Sequence, residues 1–252
     1  MNLTTSSGTR VFSHIYIEKA IQNHPVTKRI LGHLKADQFI IIEDYAHVFN
    51  RHNQDFNAQK RAQKLILAQK QHDFYYEGSP YCENFGSRRF YYTGMIMNCL
   101  YDCSYCYLKS IYTSGHMVIF VNNEDFVAAV ERDLLQNNAP VYLAISYDSD
   151  LFAMDKITGF LGAWLSLARA YPQLTIEVKT KIGSFRLCEN IPSNVIFAWS
   201  LLPQPVITHY ETHTPSLKSR LNAVNQALDA GACVRLSIEP LMPVLDAEVV
   251  YT

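Results

Sequence analysis

The sequence predicts an α/β protein built on a mainly parallel sheet. Short apolar, partly β-branched runs recur from residue 90 onward, with helical segments between several of them. The clearest helix carries its start and stop signals in order. The densest group of cysteines lies on the loop after the first run, and sheets of this kind gather their chemistry at the carboxyl ends of their strands. Strands alternating with helices imply right-handed crossovers, in a sheet either open or curled into part of a barrel.

Residues 1–89 read as a small N-terminal α/β domain, and residues 90–252 as the larger domain. Strand-like runs "HIYI" and "QFIII" flank "VTKRILGHL", where Val26, Ile30, Leu31 and Leu34 fall at helical spacing. Next comes "NRHNQDFNAQKRAQKLILAQK", with Arg51, Lys60, Arg61, Lys64 and Lys70 against one acid, Asp55; it reads as a solvated basic loop or a phosphate-contacting surface. The later apolar runs are "YYTGMIM", "MVIFV", "VYLAI", "TIEVK", "VIFAW" and "VRLSI". Asn122 and Asn123 can cap a helix whose apolar face is Phe126, Val127, Val130 and Leu134. The clearest helix runs from Thr214 to Ala230: Thr214 is the expected cap, Pro215 takes the first position, and Leu217, Leu221, Val224 and Leu228 form the stripe. Gly231 ends it. The final "SIEPLMPVLDAEVVYT" closes a strand and begins another element at Asp246, which suggests a fragment or a shortened version of a longer protein.

The 252 residues, 48% hydrophobic with a net charge of −1, suffice for one large α/β domain or for a small one plus a medium one. No apolar run approaches the roughly 18 residues of a membrane span, and "MNLTTSSGTRVF" lacks the apolar core of a secretory signal. Six cysteines, three of them close together, do not resemble a disulfide framework, so a reducing cytoplasm is expected. The balanced charge leaves nucleic acid open as a partner through a local basic face.

Within "NCLYDCSYCYLKS", Cys99, Cys103 and Cys106 are spaced by three and then two residues. Structural zinc is usually closed by four protein ligands in two knuckles. Here Cys82, Cys188 and Cys233 are isolated and no histidine lies nearby in sequence. A cubane of iron and sulfide held by three thiolates instead keeps one iron open for a chelating small molecule. A zinc site and buried free thiols are the alternatives.

This spacing, with Tyr105 just before the last cysteine, resembles the radical S-adenosylmethionine (SAM) superfamily. The resemblance implies a 4Fe-4S cluster whose open iron binds SAM. Reductive cleavage of SAM would give a 5′-deoxyadenosyl radical that takes a hydrogen atom from the substrate, while the protein positions the reacting atoms. The segments "MVIFVNNEDF", "SDLFAMDKIT", "VKTK", "FAWSL" and "VITHYETHTPSLKSRLNAVNQALDAGACVRL" are similar to the spore photoproduct lyase family, as are, more loosely, "IYIEKAIQNHP" and "RHNQDFNAQKRAQKLILA". That resemblance implies a partial (β/α)6 radical SAM barrel after the small domain, and repair of a thymine dimer in DNA. It also implies an external electron donor such as a flavodoxin or ferredoxin, with no membrane partner. The family's C-terminal DNA-contacting extension is mostly missing from this sequence.

Carried over by position, Cys99, Cys103 and Cys106 match the cluster ligands. Tyr105 and Tyr107 match a tyrosine pair assigned to radical return, or else pack around the cluster. Ser149, Lys181 and Ser200 match residues that hold SAM, although each is also an ordinary polar loop residue; Lys181 suits a carboxylate best. One departure stands out. The family returns a hydrogen atom from a cysteine before "SD", where "YLAISYDSD" has Ser146, whose O–H bond is too strong for that transfer. Tyr147 is chemically suitable, though its strand position should face the other way. The sequence therefore admits a paralogue acting on another substrate, or an inert nucleic-acid-binding metalloprotein. His209 and His213 are a further candidate metal pair against a simple loop, and Glu239 is either a site carboxylate or a structural strand-end acid.

Overall fold

The computed structural model describes residues 11–136, 138–186, 190–243 and 251. The expectations for Cys188 and Asp246 lie outside the described residues. The chain begins with β1 (Val11–Glu18), α1 (Pro25–His33) and β2 (Lys35–Ile42), then α2 (Ala46–Phe49), α3 (Phe56–Arg61) and β3 (Leu65–Ala68). Four short strands follow, β4 (Tyr76–Glu77), β5 (Phe90–Tyr92), β6 (Ile96–Met97) and β7 (Asp102–Cys103), and then α4 (Leu108–Ile111). Alternation sets in with β8 (Met117–Phe120), α5 (Asn123–Leu134), β9 (Val141–Ala144), α6 (Leu151–Thr158), α7 (Leu161–Ala170) and β10 (Leu174–Thr180). The last described elements are β11 (Val195–Ser200), α8 (Gln204–Tyr210), β12 (Glu211–Thr212), α9 (Leu217–Asp229) and β13 (Cys233–Ser237).

These strands make a mixed α/β fold with parallel sheets. One sheet runs β2-β1-β3-β8-β6, the other β13-β11-β10-β9-β5-β4, and β12 pairs with β7. Among the described strands only β6–β8, β4–β5 and β7–β12 are antiparallel. The run "YYTGMIM" serves both large sheets. Its first part pairs with β9, and after a crossing at Thr93 to Met95 its second part pairs with β8. A single hydrophobic cluster joins the faces of both sheets. Trp164 and Trp199 are fully buried in it, each worth a few kcal/mol of apolar burial, about 2–3. Their indole N–H groups are satisfied by Asn123 Oδ1 at 2.9 Å and the Ile182 carbonyl at 3.1 Å.

Two expectations need correction. The basic stretch is not a solvated loop throughout. It contains α3 and the wholly buried strand β3, which pairs with β1 and β8. Lys60 is buried, and Lys70 turns inward to the Tyr76 hydroxyl at 3.0 Å. The helix expected from Thr214 begins instead at Leu217, with Ser216 accepting from the Ser219 N–H. Its buried face is Arg220, Ala223, Val224 and Ala227, while Leu221 and Leu228 are exposed. The reason is steric: small residues let the helix pack closely, and a ligated arginine displaces the leucines from the inward face.

Candidate active site

The loop that carries the three cysteines is fixed at its entry. Asn98 adopts a left-handed conformation (φ 62°), and its buried amide donates to the carbonyls of Ser114 and His116, both at 2.7 Å. The Cys99 carbonyl accepts from the Lys60 ammonium and from Gln63 Nε2 at 3.3 Å. Cys103 lies in β7, opposite Glu211 of β12. The Cys106 N–H closes a turn onto the Cys103 carbonyl at 3.2 Å, leading into α4. All five described cysteines are free. Burial pushes the Cys103 thiol up to about 12 and also raises that of Cys99.

A cavity of about 450 Å³ receives all three of these cysteines. Its remaining walls come from the carboxyl ends of β9, β10 and β11, which bring Ser146, Tyr147, Ser149, Lys181 and Ser200 to it. Tyr105 and Tyr107 line it as well, so it gathers every residue matched by position to the family, but not His209 or His213. The Ser149 hydroxyl is buried without a hydrogen-bond partner. Lys181 holds its ammonium 3.9 Å from Glu211 Oε1 and 6.0 Å from the centre of the Tyr105 ring. Ser200 gives its carbonyl to Arg220 Nη1 at 2.9 Å.

Several buried polar groups beside these residues escaped the sequence reading. Asp150 is buried and caps α6 through the Ala153 N–H at 3.0 Å; it also accepts from Thr180 Oγ1 at 2.9 Å and the Lys181 N–H at 2.7 Å. Burial raises its carboxyl despite these donors. Glu211 and Arg220 are ion-paired with both side chains wholly buried, and Tyr105 donates to the other oxygen of Glu211. Nothing periodic marks such a pair. The nearest signal was a carboxylate and a guanidinium in otherwise polar sequence on either side of a proline.

The tyrosines and Ser146 occupy different surroundings. Tyr107 donates to the Tyr147 carbonyl at 2.9 Å, and burial raises its phenol far above the ordinary range. Despite the expected strand alternation, Tyr147 and Ser146 both face the cavity, because β9 has ended at Ala144 and the chain is turning. Ser146 Oγ lies 2.7 Å from the Lys179 carbonyl and 2.9 Å from that of Ser149, and accepts from the Leu151 N–H at 3.0 Å. Tyr147 stacks on Tyr92 with centroids 4.2 Å apart, and its hydroxyl lies 2.9 Å from Cys82 Sγ. The two histidines do not share a helix face, since α8 ends at Tyr210 and His213 has left-handed backbone (φ 68°). Glu239 lines the cavity and is ion-paired with Lys179.

The donor set suits a cluster better than a lone ion. Three free thiols share one cavity wall, and among the described residues no fourth cysteine lines it. Among the described residues no three His, Cys, Asp or Glu side chains converge as ligands of a single metal ion. An uncommitted serine hydroxyl and a lysine stand on the same walls, as a zwitterionic ligand would require.

The family model for spore photoproduct lyase matches residues 11–251. Among solved structures, a doubly substituted variant of spore photoproduct lyase with bound AdoMet and dinucleoside spore photoproduct superposes with a TM-score of 0.81 at 18% identity, over 95% of this chain and 71% of that one. Spore photoproduct lyase complexed with dinucleoside spore photoproduct gives 0.80 at 17% identity over the same shares, 95% and 71%. A variant of that enzyme with one cysteine changed to serine gives 0.80 at 19%, again over 95% and 71%. No curated protein sequence matches the chain.

Proposed function

The chain belongs to the spore photoproduct lyase family, and from that premise we propose that it is a radical SAM lyase acting on a thymine-dimer lesion in DNA. The single observation that carries this reading is the cavity shared by Cys99, Cys103, Cys106, Ser149, Lys181 and Ser200. With a reduced 4Fe-4S cluster, SAM would supply a 5′-deoxyadenosyl radical able to take one hydrogen atom from a substrate carbon.

The chain's own residues do the rest. Cys99, Cys103 and Cys106 hold the cluster. Lys181 meets the SAM carboxylate, with Ser149 and Ser200 as polar partners. Tyr105 and Tyr107 line the cysteine cavity, and Tyr107 also lines a second cavity beside it. That second cavity, of about 670 Å³, shares Tyr107, Ser146, Tyr147, Lys179 and Glu239 with the first and adds Phe85 and Arg235, whose guanidinium stacks 3.4 Å from the Phe85 ring centre and is ion-paired with Glu177. Electrons come from an external carrier such as a flavodoxin or ferredoxin.

Anaerobic reconstitution tests the reading. About four irons and four sulfides per chain are expected, with 5′-deoxyadenosine released on reduction and dinucleotide spore photoproduct converted to thymidylyl-thymidine. Cys99→Ala, Cys103→Ala and Cys106→Ala should each lose the brown chromophore. Zinc without sulfide would favour an inert nucleic-acid-binding protein. Ser146 motivates a second reading, a radical reaction on another substrate, which predicts deoxyadenosine release without lesion conversion.

A further inference from the structure

Not all of the basic stretch turns inward. Between Tyr45 and Lys70 the sequence holds Arg51, Lys60, Arg61, Lys64 and Lys70 against one acid, Asp55, which serves as the cap of α3. Arg51 and Arg61 are exposed, and Lys64 is half-buried. His14, Lys64 and His116 each stand one position before the in-register row Ile15, Leu65 and Met117, so they fall side by side across three adjacent strands. Burial lowers the His116 imidazole, and Lys64, Arg51 and His14 push it the same way, which places three basic side chains around it.

This face backs directly onto the first cysteine. The Lys64 N–H donates to His116 Nδ1 at 3.3 Å, the His116 carbonyl accepts from the Asn98 amide at 2.7 Å, and Asn98 precedes Cys99. From the same basic stretch, Lys60 and Gln63 bond to the Cys99 carbonyl itself. Arg51, Arg61, Lys64 and His14 line neither cavity. A positive surface joined to a cluster ligand, yet set apart from the substrate side, suits a macromolecule that brings electrons rather than one that brings a lesion.

We propose that Arg51, Arg61, Lys64 and His14 form the docking face for a small acidic electron-carrier protein, an inference that rests on the radical SAM reading above. The step is a single electron transfer. The carrier loses one electron and is oxidised, the cluster held by Cys99, Cys103 and Cys106 gains it and is reduced, and no bond or proton moves. Charge complementarity sets the encounter rate and turns the carrier towards the Cys99 side.

The test binds a fluorescently labelled acidic ferredoxin to the reconstituted full chain and follows its anisotropy, apart from any turnover. Raising the ionic strength from about 0.05 M to about 0.5 M should weaken binding by about tenfold. Arg51→Glu combined with Arg61→Glu should weaken it by about tenfold or more at low salt, whereas Arg51→Lys should leave it unchanged. A carbodiimide should join Lys64 to ferredoxin carboxylates, as read on the cross-linked peptide. In the doubly reversed variant, deoxyadenosine release driven by reduced ferredoxin should slow in step with the lost affinity, while release driven by dithionite stays at the wild-type rate. Ferredoxin affinity unchanged by the reversal would overturn the assignment while leaving the radical SAM reading standing. So would a reversed variant that keeps ferredoxin but loses affinity for duplex DNA, which would give the face to phosphates. A wild type that releases no deoxyadenosine even with dithionite removes the parent reading, and this assignment with it.

Discussion

Arg220 and Glu211 form an ion pair in which neither side chain has any exposed surface, and Tyr105 hangs from the second oxygen of the same carboxylate. Arg220 also donates to Pro215, Ser200 and Thr214, so its guanidinium ties β11, the turn before α9 and the back of the cysteine loop together. Charges taken this far from water are tolerated only because each finds its partners.

Arg220→Met strands the Glu211 charge and should cost about 3–5 kcal/mol, measured by urea denaturation under anaerobic conditions. The double change Arg220→Met with Glu211→Leu should recover part of that loss, because no unpaired charge remains buried. The double variant would still leave Tyr105 without its acceptor, so stability and activity should separate.

Ser146→Ala removes the oxygen that accepts from the buried Leu151 N–H at the start of α6. An unsatisfied buried donor costs about 1–3 kcal/mol. The expected result is a lower urea midpoint with an unchanged m-value. An m-value that moves would mean that the change reaches beyond this turn.

Gly115→Ala tests the support behind Cys99. A Cβ there would meet the Phe56 carbonyl at 2.4 Å and the Lys60 nitrogen at 2.9 Å, both backbone atoms of α3. Overpacking of this kind costs about 1–3 kcal/mol. It would also displace the helix whose Lys60 ammonium is bonded to the Cys99 carbonyl. Iron incorporation on reconstitution should drop along with stability.

His116 gives a pH signature. Burial, reinforced by Lys64, lowers its imidazole from 6.5 to about 4. The neutral ring therefore stabilises the fold fully above pH 6.5, and that contribution is lost as pH falls towards 4, where the unfolded chain binds a proton that the native ring refuses. Allowing for partial solvation, the loss is about 2 kcal/mol. His116→Gln should flatten the stability profile in that window relative to wild type.

The strongest sequence signals were local ones. The cysteine spacing, the strand–helix alternation after residue 90 and the helix from Asn123 are each contained in a short window, and each stands close to where the sequence put it. The errors share a physical origin. Strand β3 was hidden because "LILA" is only four residues long and is flanked by lysines, whose charge says nothing about where the segment packs. The buried face of α9 was misjudged because hydrophobicity ranks Leu221 and Leu228 above Ala223 and Ala227, whereas close approach favours the alanines. Cys82 looked isolated because 65 positions separate it from the tyrosine it touches. Only the crossing of the chain between sheets brings them together.

That crossing carries a mechanical consequence. Residues 90–92 pair into one sheet and residues 96–97 into the other, and Cys99 follows two positions later. Neither sheet can fray without tugging on the leash that anchors the thiols. In a heated, metal-loaded sample, fading of the visible colour and collapse of the far-ultraviolet signal should follow one curve, since the pigment and the scaffold hang from the same cord.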